Sequence, residues 1–166
     1  KFLDKMSEEN KKFWNFERKE KAKQAGFTES EIVTLASIVD EETDNEAEMP
    51  KIAGMYINRL HLNMPLQADP TVKFATKNFT AHRIYQKWLT IDNPYNTYKY
   101  RGLPPGPIRI PSVAAIDAVL NYVHHDYIYM CAKEDFSGTH NFAKTYEEHQ
   151  KNAAKYAKAL NEHGIN

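Results

Sequence analysis

Thr28-Glu29-Ser30-Glu31-Ile32-Val33-Thr34-Leu35-Ala36-Ser37-Ile38-Val39-Asp40-Glu41-Glu42-Thr43 is the stretch on which the fold of this chain turns. Thr28 is a capping residue, Glu31 stands three residues on, and Phe27 can staple to Ile32. This start signal predicts a helix over 29–43. Successive helical residues lie about 100° apart around the axis. With Ile32 at zero, Leu35 falls at about 300°, Val39 at about 340° and Ala36 at about 40°. Glu42 falls at about 280°, beside Leu35, whereas Glu41 points away at about 180° and Asp40 sits at the edge at about 80°. One carboxylate of three is therefore aimed at the core or a cleft. A carboxyl held against apolar surface resists ionisation and its pKa rises. A general acid working near neutral pH needs that property. The plain alternative is a surface group or half of an ion pair near a helix end.

Working outward, residues 4–24 are rich in Lys and Glu and carry Met6, Phe13, Trp14 and Phe16, which predicts one long amphipathic helix ended by Gly26. Downstream, Thr43-Asp44-Asn45 breaks the helix. Met49, Ile52, Ala53, Tyr56 and Leu60 then form a helical stripe over 46–61. Pro50 is tolerable in its first turn, and Asn63 suits a left-handed residue after its end. From Met64 to Pro111 the chain is Pro-rich without sustained periodicity. Short strands are expected at 71–75 and 88–91 and a short helix at 81–87. Phe74, Phe79, Tyr85, Trp88, Tyr95, Tyr98 and Tyr100 argue against disorder there. Ser112 caps a helix over 112–120. Strands are expected at 127–132 and 139–142, joined by a hairpin loop at 133–138. A final helix runs from Thr145 to about Glu162, with Glu148 completing a capping box. The fold class is α+β: amphipathic helices packed on a small antiparallel sheet, with a long Pro-rich region lining a cleft.

With 166 residues the chain makes one domain, or one with a small appendage, and is long enough to bury a sizeable core. Lys plus Arg and Asp plus Glu each number 22, so the net charge is zero. That argues against a nucleic-acid binder driven by phosphate neutralisation. No run of about 18 apolar residues is present to span a membrane, and no signal peptide is visible. The start on Lys1-Phe2-Leu3 suggests a fragment whose targeting segment lies upstream. Cys131 is the only cysteine, so a disulfide framework and a Cys-rich metal site are excluded within the chain. Ten Tyr, eight Phe and two Trp suit a surface that stacks on sugar rings, and suit a large core equally well. His124-His125 has no third ligand at a metal spacing, so no metal is expected.

Five blocks occur in order: Leu35-Ala-Ser-Ile-Val-Asp-Glu-Glu-Thr43, Ile52-Ala-Gly-Met-Tyr-Ile-Asn-Arg-Leu60, Met64-Pro-Leu-Gln-Ala-Asp-Pro-Thr-Val72, Pro94-Tyr-Asn-Thr-Tyr98 and Gly102-Leu-Pro-Pro-Gly-Pro-Ile108. Together they resemble the catalytic domain of the endolytic murein transglycosylases, the MltG or YceG-like family. Tyr127-Ile-Tyr-Met, Gly138-Thr-His-Asn-Phe142 and His149 agree. The resemblance covers roughly residues 30–155 and, carried to the chain ends, implies a catalytic domain over 27–166. Residues 1–26 would then connect to an absent upstream region. It implies cleavage of peptidoglycan glycan strands between MurNAc and GlcNAc, with no cofactor. The MurNAc 6-hydroxyl attacks its own anomeric carbon and leaves a 1,6-anhydro end. The family's catalytic Glu is the second acidic position of Glu-x-Glu-Thr, which falls on Glu42; the first position is Asp40 here, where Glu is usual. The resemblance also implies a membrane-anchored parent on the extracytoplasmic side of the bacterial cytoplasmic membrane, and association with cell-wall synthases.

One carboxyl can serve both proton transfers when the nucleophile belongs to the substrate. A hydrolase needs a second carboxylate, for which Asp69 and Glu48 are available. Asp69 before Pro70 also suits a structural turn, and Glu48, which matches a recurrent family Glu, also suits a helix N-terminus. Asn58 can bond an N-acetyl group and Arg59 can pair an internal acid. Gln67 carries donor and acceptor for sugar hydroxyls. Tyr95, Asn96, Thr97 and Tyr98 suit a glycan groove or a capped turn. Leu103 and Pro104 suit a rigid cleft wall or a connector. His140 faces the site or supports the fold. Asn63 stands where Gly is usual in the family, and Ile110 and Ser112 depart from its Asn-Pro-Gly. Two other readings stand beside the transglycosylase: a lysozyme-like hydrolase, and a non-catalytic domain that binds glycan or recruits synthases.

Overall fold

The structure is a computed structural model that describes residues 2–77 and 86–164, with side chains from Glu8 onward. In chain order the elements are α1 (Phe2–Phe13), α2 (Phe16–Ala25), α3 (Glu29–Glu42), α4 (Met49–His61), α5 (Asp69–Thr76), a short 3-10 turn (Gln86–Thr90), α6 (Val113–Leu120), β1 (Tyr129–Ala132), β2 (His140–Ala143) and α7 (Tyr146–Glu162). β1 and β2 pair antiparallel, with Tyr129 opposite Ala143 and Ala132 opposite His140. Helices packed on a small antiparallel sheet make the fold α+β, as expected.

α3 is the central post. Thr28 Oγ1 accepts the Glu31 amide at 3.1 Å and the Glu31 carboxylate accepts the Thr28 amide at 2.9 Å, so the capping box is complete. Ile32, Leu35, Ile38 and Val39 are buried against α4 and α6. Burial of each such side chain contributes about 1.5–3 kcal/mol. α4 follows with Pro50 in its first turn and Ile52 and Ile57 fully buried. Asn63 follows it at φ 56°, in the left-handed region that Asn tolerates. α4 also carries Gly54, where a Cβ would lie 2.2 Å from the Val123 carbonyl oxygen. Only glycine lets the 121–125 segment lie this close; that segment donates Val123 N–H to the Pro50 carbonyl at 3.0 Å.

Three local expectations change. The N-terminal helix is two helices, because Asn15 interrupts it and caps α2 by accepting the Arg18 amide. α2 is tied to α6 by Arg18 Nε on Asp117 Oδ1 at 3.0 Å. Residues 71–75 are helical within α5: Pro70 fixes a helical φ in the first turn, and Thr71 and Val72 are buried, which overrides their β-branched preference. Residues 88–91 are not a strand, and the 3-10 turn ends at Thr90. The helix expected over 81–87 lies, but for its last two residues, outside the described residues. The Pro-rich span is knit by polar bonds. Asn96 is fully buried and donates to the Leu89 and Ile91 carbonyls, while Thr97 Oγ1 meets Thr71 Oγ1 at 2.8 Å and accepts the Ala68 amide. No helix among the described residues is long and apolar enough to cross a membrane.

Candidate active site

The three acids that end α3 diverge as the helical rotation requires. Asp40 Oδ2 accepts the Ser112 amide at 2.7 Å and so fixes the start of α6. Glu41 Oε1 takes Arg109 Nη1 at 3.0 Å on the surface. Glu42 turns inward and is half-buried. Its Oε1 accepts the Tyr56 hydroxyl of α4 at 2.5 Å. Burial raises its pKa from the ordinary 4.5 to about 7. The Tyr56 bond works against that rise, the charge of Asp69 adds to it, and His140 and Lys73 oppose it. Near neutral pH this carboxyl is therefore divided between acid and base forms, the condition for giving and then taking a proton.

Glu42 opens on a cavity of about 260 Å³ whose other walls include Lys133, Phe136, Gly138, His140 and Tyr156. The β1–β2 hairpin and α7 supply those walls. Thr43 Oγ1 donates to the Gly138 carbonyl at 3.3 Å and holds the hairpin turn at the end of α3. Gly138 takes φ 84°, which glycine adopts without strain. Glu48 occupies the N-cap position of α4, yet its side chain makes no cap there. Its carboxylate reaches β2 instead, accepting the His140 amide at 3.1 Å and contacting His140 Nδ1. Glu48 thereby fixes the ring that shares the cavity with Glu42.

Asp69 is not among the residues lining that cavity, and its Oδ1 accepts the Tyr98 hydroxyl at 2.5 Å. Asp69 is exposed by area, yet protein crowds its carboxyl enough to raise its pKa. Tyr98 is pushed up too, by burial first and then by Asp69. The charges of Asp69 and Tyr98 are both felt by the Glu42–Tyr56 pair.

The remaining expected residues divide. Gln67, at φ 49°, accepts Arg59 Nη2 at 3.3 Å. Arg59 is 6% exposed, and its other bonds go to the Pro65 and Ile128 carbonyls. Among the described residues it pairs with no carboxylate, contrary to the internal acid expected for it. Asn58 Nδ2 donates to the His125 and Tyr127 carbonyls at 2.7 and 2.9 Å and so pins the approach to β1. Tyr95 packs on Phe74 with ring centroids 4.8 Å apart. Asn96 and Thr97 stand behind the cleft, in the framework described above, rather than in its lining. Leu103 packs on the core and Pro104 is buried. Among the described residues no group of His, Cys, Asp and Glu is placed to hold a metal ion.

Sequence reasoning did not assign a site role to Tyr56, Lys133, Phe136 or Tyr156. Tyr56 was legible only as part of the apolar stripe of α4. The signal in it was chemical: a buried phenol requires a partner for its hydroxyl. The other three come together only through the hairpin and α7, which no local pattern reveals.

A family model described as the YceG-like family matches residues 1–155. The endolytic murein transglycosylase of Bacillus subtilis is 43% identical over 131 residues, which cover 79% of this chain and 36% of that protein. The endolytic murein transglycosylase of Streptococcus pneumoniae is 33% identical over 138 residues, covering 81% of this chain and 25% of that protein. A 2.6 Å crystal structure of a YceG-like protein from Listeria monocytogenes superposes with a TM-score of 0.73 at 35% identity, covering 80% of this chain and 43% of that one. The chain thus spans about a quarter to a third of the length of these curated relatives. Ordered blocks, fold and sequence identity agree, and the chain belongs to the YceG-like family.

Proposed function

We propose that this chain carries the catalytic centre of a peptidoglycan lytic transglycosylase, with Glu42 as its single acid and base. The observation that carries the reading is the Glu42 carboxyl, held at 2.5 Å by Tyr56, raised to about 7 and facing an open cavity. The names of the Bacillus and Streptococcus relatives support the substrate. Glu42 gives its proton to the glycosidic oxygen between MurNAc and GlcNAc as that bond breaks. The MurNAc 6-hydroxyl then closes on its own anomeric carbon, and Glu42 takes the hydroxyl proton. The two transfers restore the enzyme, and no water is consumed. Tyr56 keeps the carboxylate form accessible and aims it. The place of action we infer is the extracytoplasmic face of the bacterial cytoplasmic membrane, with a membrane-anchored parent and cell-wall synthases nearby.

A lysozyme-like hydrolase is the second reading, and one observation favours it: Asp69 is a second carboxyl close enough for its charge to act on Glu42. Mass spectrometry of products from purified glycan strands separates the two. The transglycosylase yields 1,6-anhydro ends, one water lighter than reducing ends. Reducing ends would establish the hydrolase. A domain that only binds glycan would show saturable binding and no new ends.

A further inference from the structure

The cavity beside Glu42 has a composition that the acid chemistry does not use. Phe136 stands at the hairpin turn with φ 55°, a left-handed conformation that is strained for a bulky residue and recurs at ligand sites. Phe136 is 41% exposed despite edge contacts with Tyr156 of α7 and with His163 just after it, at centroid distances of 6.0 and 5.0 Å. Phe136 and Tyr156 thus give the cavity aromatic surface on the wall contributed by the hairpin and α7. Lys133 lines the same cavity and, among the described residues, forms no ion pair. Its acidic neighbours hold other partners, Glu134 accepting Asn141 Nδ2 at 2.9 Å and Asp135 the Ser137 amide at 3.0 Å, so that Asp135 feels the Lys133 charge without closing an ion pair with it. An aromatic face beside an unpaired ammonium fits a sugar ring that bears a carboxylate.

We propose that Lys133, Phe136 and Tyr156 form a subsite for the acid-bearing sugar of the scissile pair. That sugar is the muramyl residue: its ring lies against Phe136 and Tyr156, and the carboxylate of its lactyl group or stem peptide meets Lys133. The neutral sugar then lies across the scissile bond from this subsite. This inference rests on the peptidoglycan reading above and adds polarity to it, because the strand can enter in one direction only.

The test uses two substrates. One is glycan strands freed of stem peptides, whose lactyl groups end in carboxylates; the other is the same strands with those carboxylates converted to amides. The proteins are wild type, Lys133→Gln and Phe136→Ala, each also made with Glu42→Gln so that strand affinity is read without turnover. For wild type we expect tighter binding of the carboxylate strands. Lys133→Gln should weaken that binding roughly three- to tenfold, to the level of the amidated strands, and leave affinity for the amidated strands unchanged. The same shift should appear in KM with kcat retained. Phe136→Ala should weaken both strand types alike. If Lys133→Gln changes both strand types equally, or neither, the charged subsite is overturned. If Phe136→Ala lowers the melting temperature without touching affinity, Phe136 is only a clasp between the hairpin and α7, and the ring platform is overturned. These outcomes are separate from failure of the transglycosylase reading, which shows as wild type releasing no anhydro ends from either strand.

Discussion

Two opposed influences set the acidity of Glu42. Burial raises its pKa and the Tyr56 hydroxyl lowers it. Replacing Tyr56 by Phe removes the stabilising bond to the carboxylate, so the pKa rises further. The alkaline limb of the pH–rate profile should move up by about one unit, while turnover falls about tenfold or more because the acid is no longer aimed. A pH profile of anhydro-end release checks both. The same carboxyl links stability to pH. Its folded-state value, about 7, lies above the ordinary 4.5, so the folded protein keeps a proton that the unfolded chain releases. The stability this adds is fully present below pH 4.5 and is lost as pH rises through about 7. Glu42→Gln, neutral at every pH, should therefore be more stable than wild type at pH 8, by about 3 kcal/mol, and match it near pH 4. Thermal melts at the two pH values decide this. An ionised Glu42 with an unshifted pKa would give equal melts at both.

At the scale of elements, α3 holds the acid only because its two neighbours sit tight. Gly54→Ala drives a methyl into the Val123 carbonyl, so α4 and the 121–125 segment must part. We expect a loss of about 2–3 kcal/mol in denaturant unfolding, and reduced turnover, because α4 also carries Tyr56. Thr28→Ala removes one arm of the capping box and should cost about 1 kcal/mol with activity kept, since the cap lies at the far end of α3 from Glu42. These elements were also the legible ones. The capping box of α3, the stripe of α4 and the Ser112 cap of α6 are local signals, and each is found where the pattern put it. The misread elements had signals that lost to packing. Thr71 and Val72 are β-branched, yet their burial behind Pro70 makes them helical. Asn15 divides the first helix because it caps the next one, a choice that the run of Lys and Glu around it conceals.

For the whole molecule, α3 packed against α4 and α6 forms the core, while the hairpin and α7 lie to one side and close the cavity. Amide hydrogen exchange should accordingly be slowest in the middle of α3 and α4 and faster at the hairpin turn, whose residues 135–138 are exposed. This division also explains how much of the site could be read from the chain. Glu42 was legible because helix rotation alone separates it from Asp40 and Glu41. The Glu48–His140 contact joins residues 92 positions apart, and the cavity joins α3 to α7; neither follows from spacing. In the proposed reaction one carboxyl, half protonated near neutrality, serves as acid and then base. Its most direct test is a site-resolved titration of the Glu42 carboxyl by carbon-detected NMR, set beside the pH dependence of glycan cleavage. We expect a midpoint near 7, coinciding with the alkaline limb of turnover, and no cleavage by Glu42→Gln. A midpoint at the ordinary 4.5, or cleavage that survives Glu42→Gln, would contradict it.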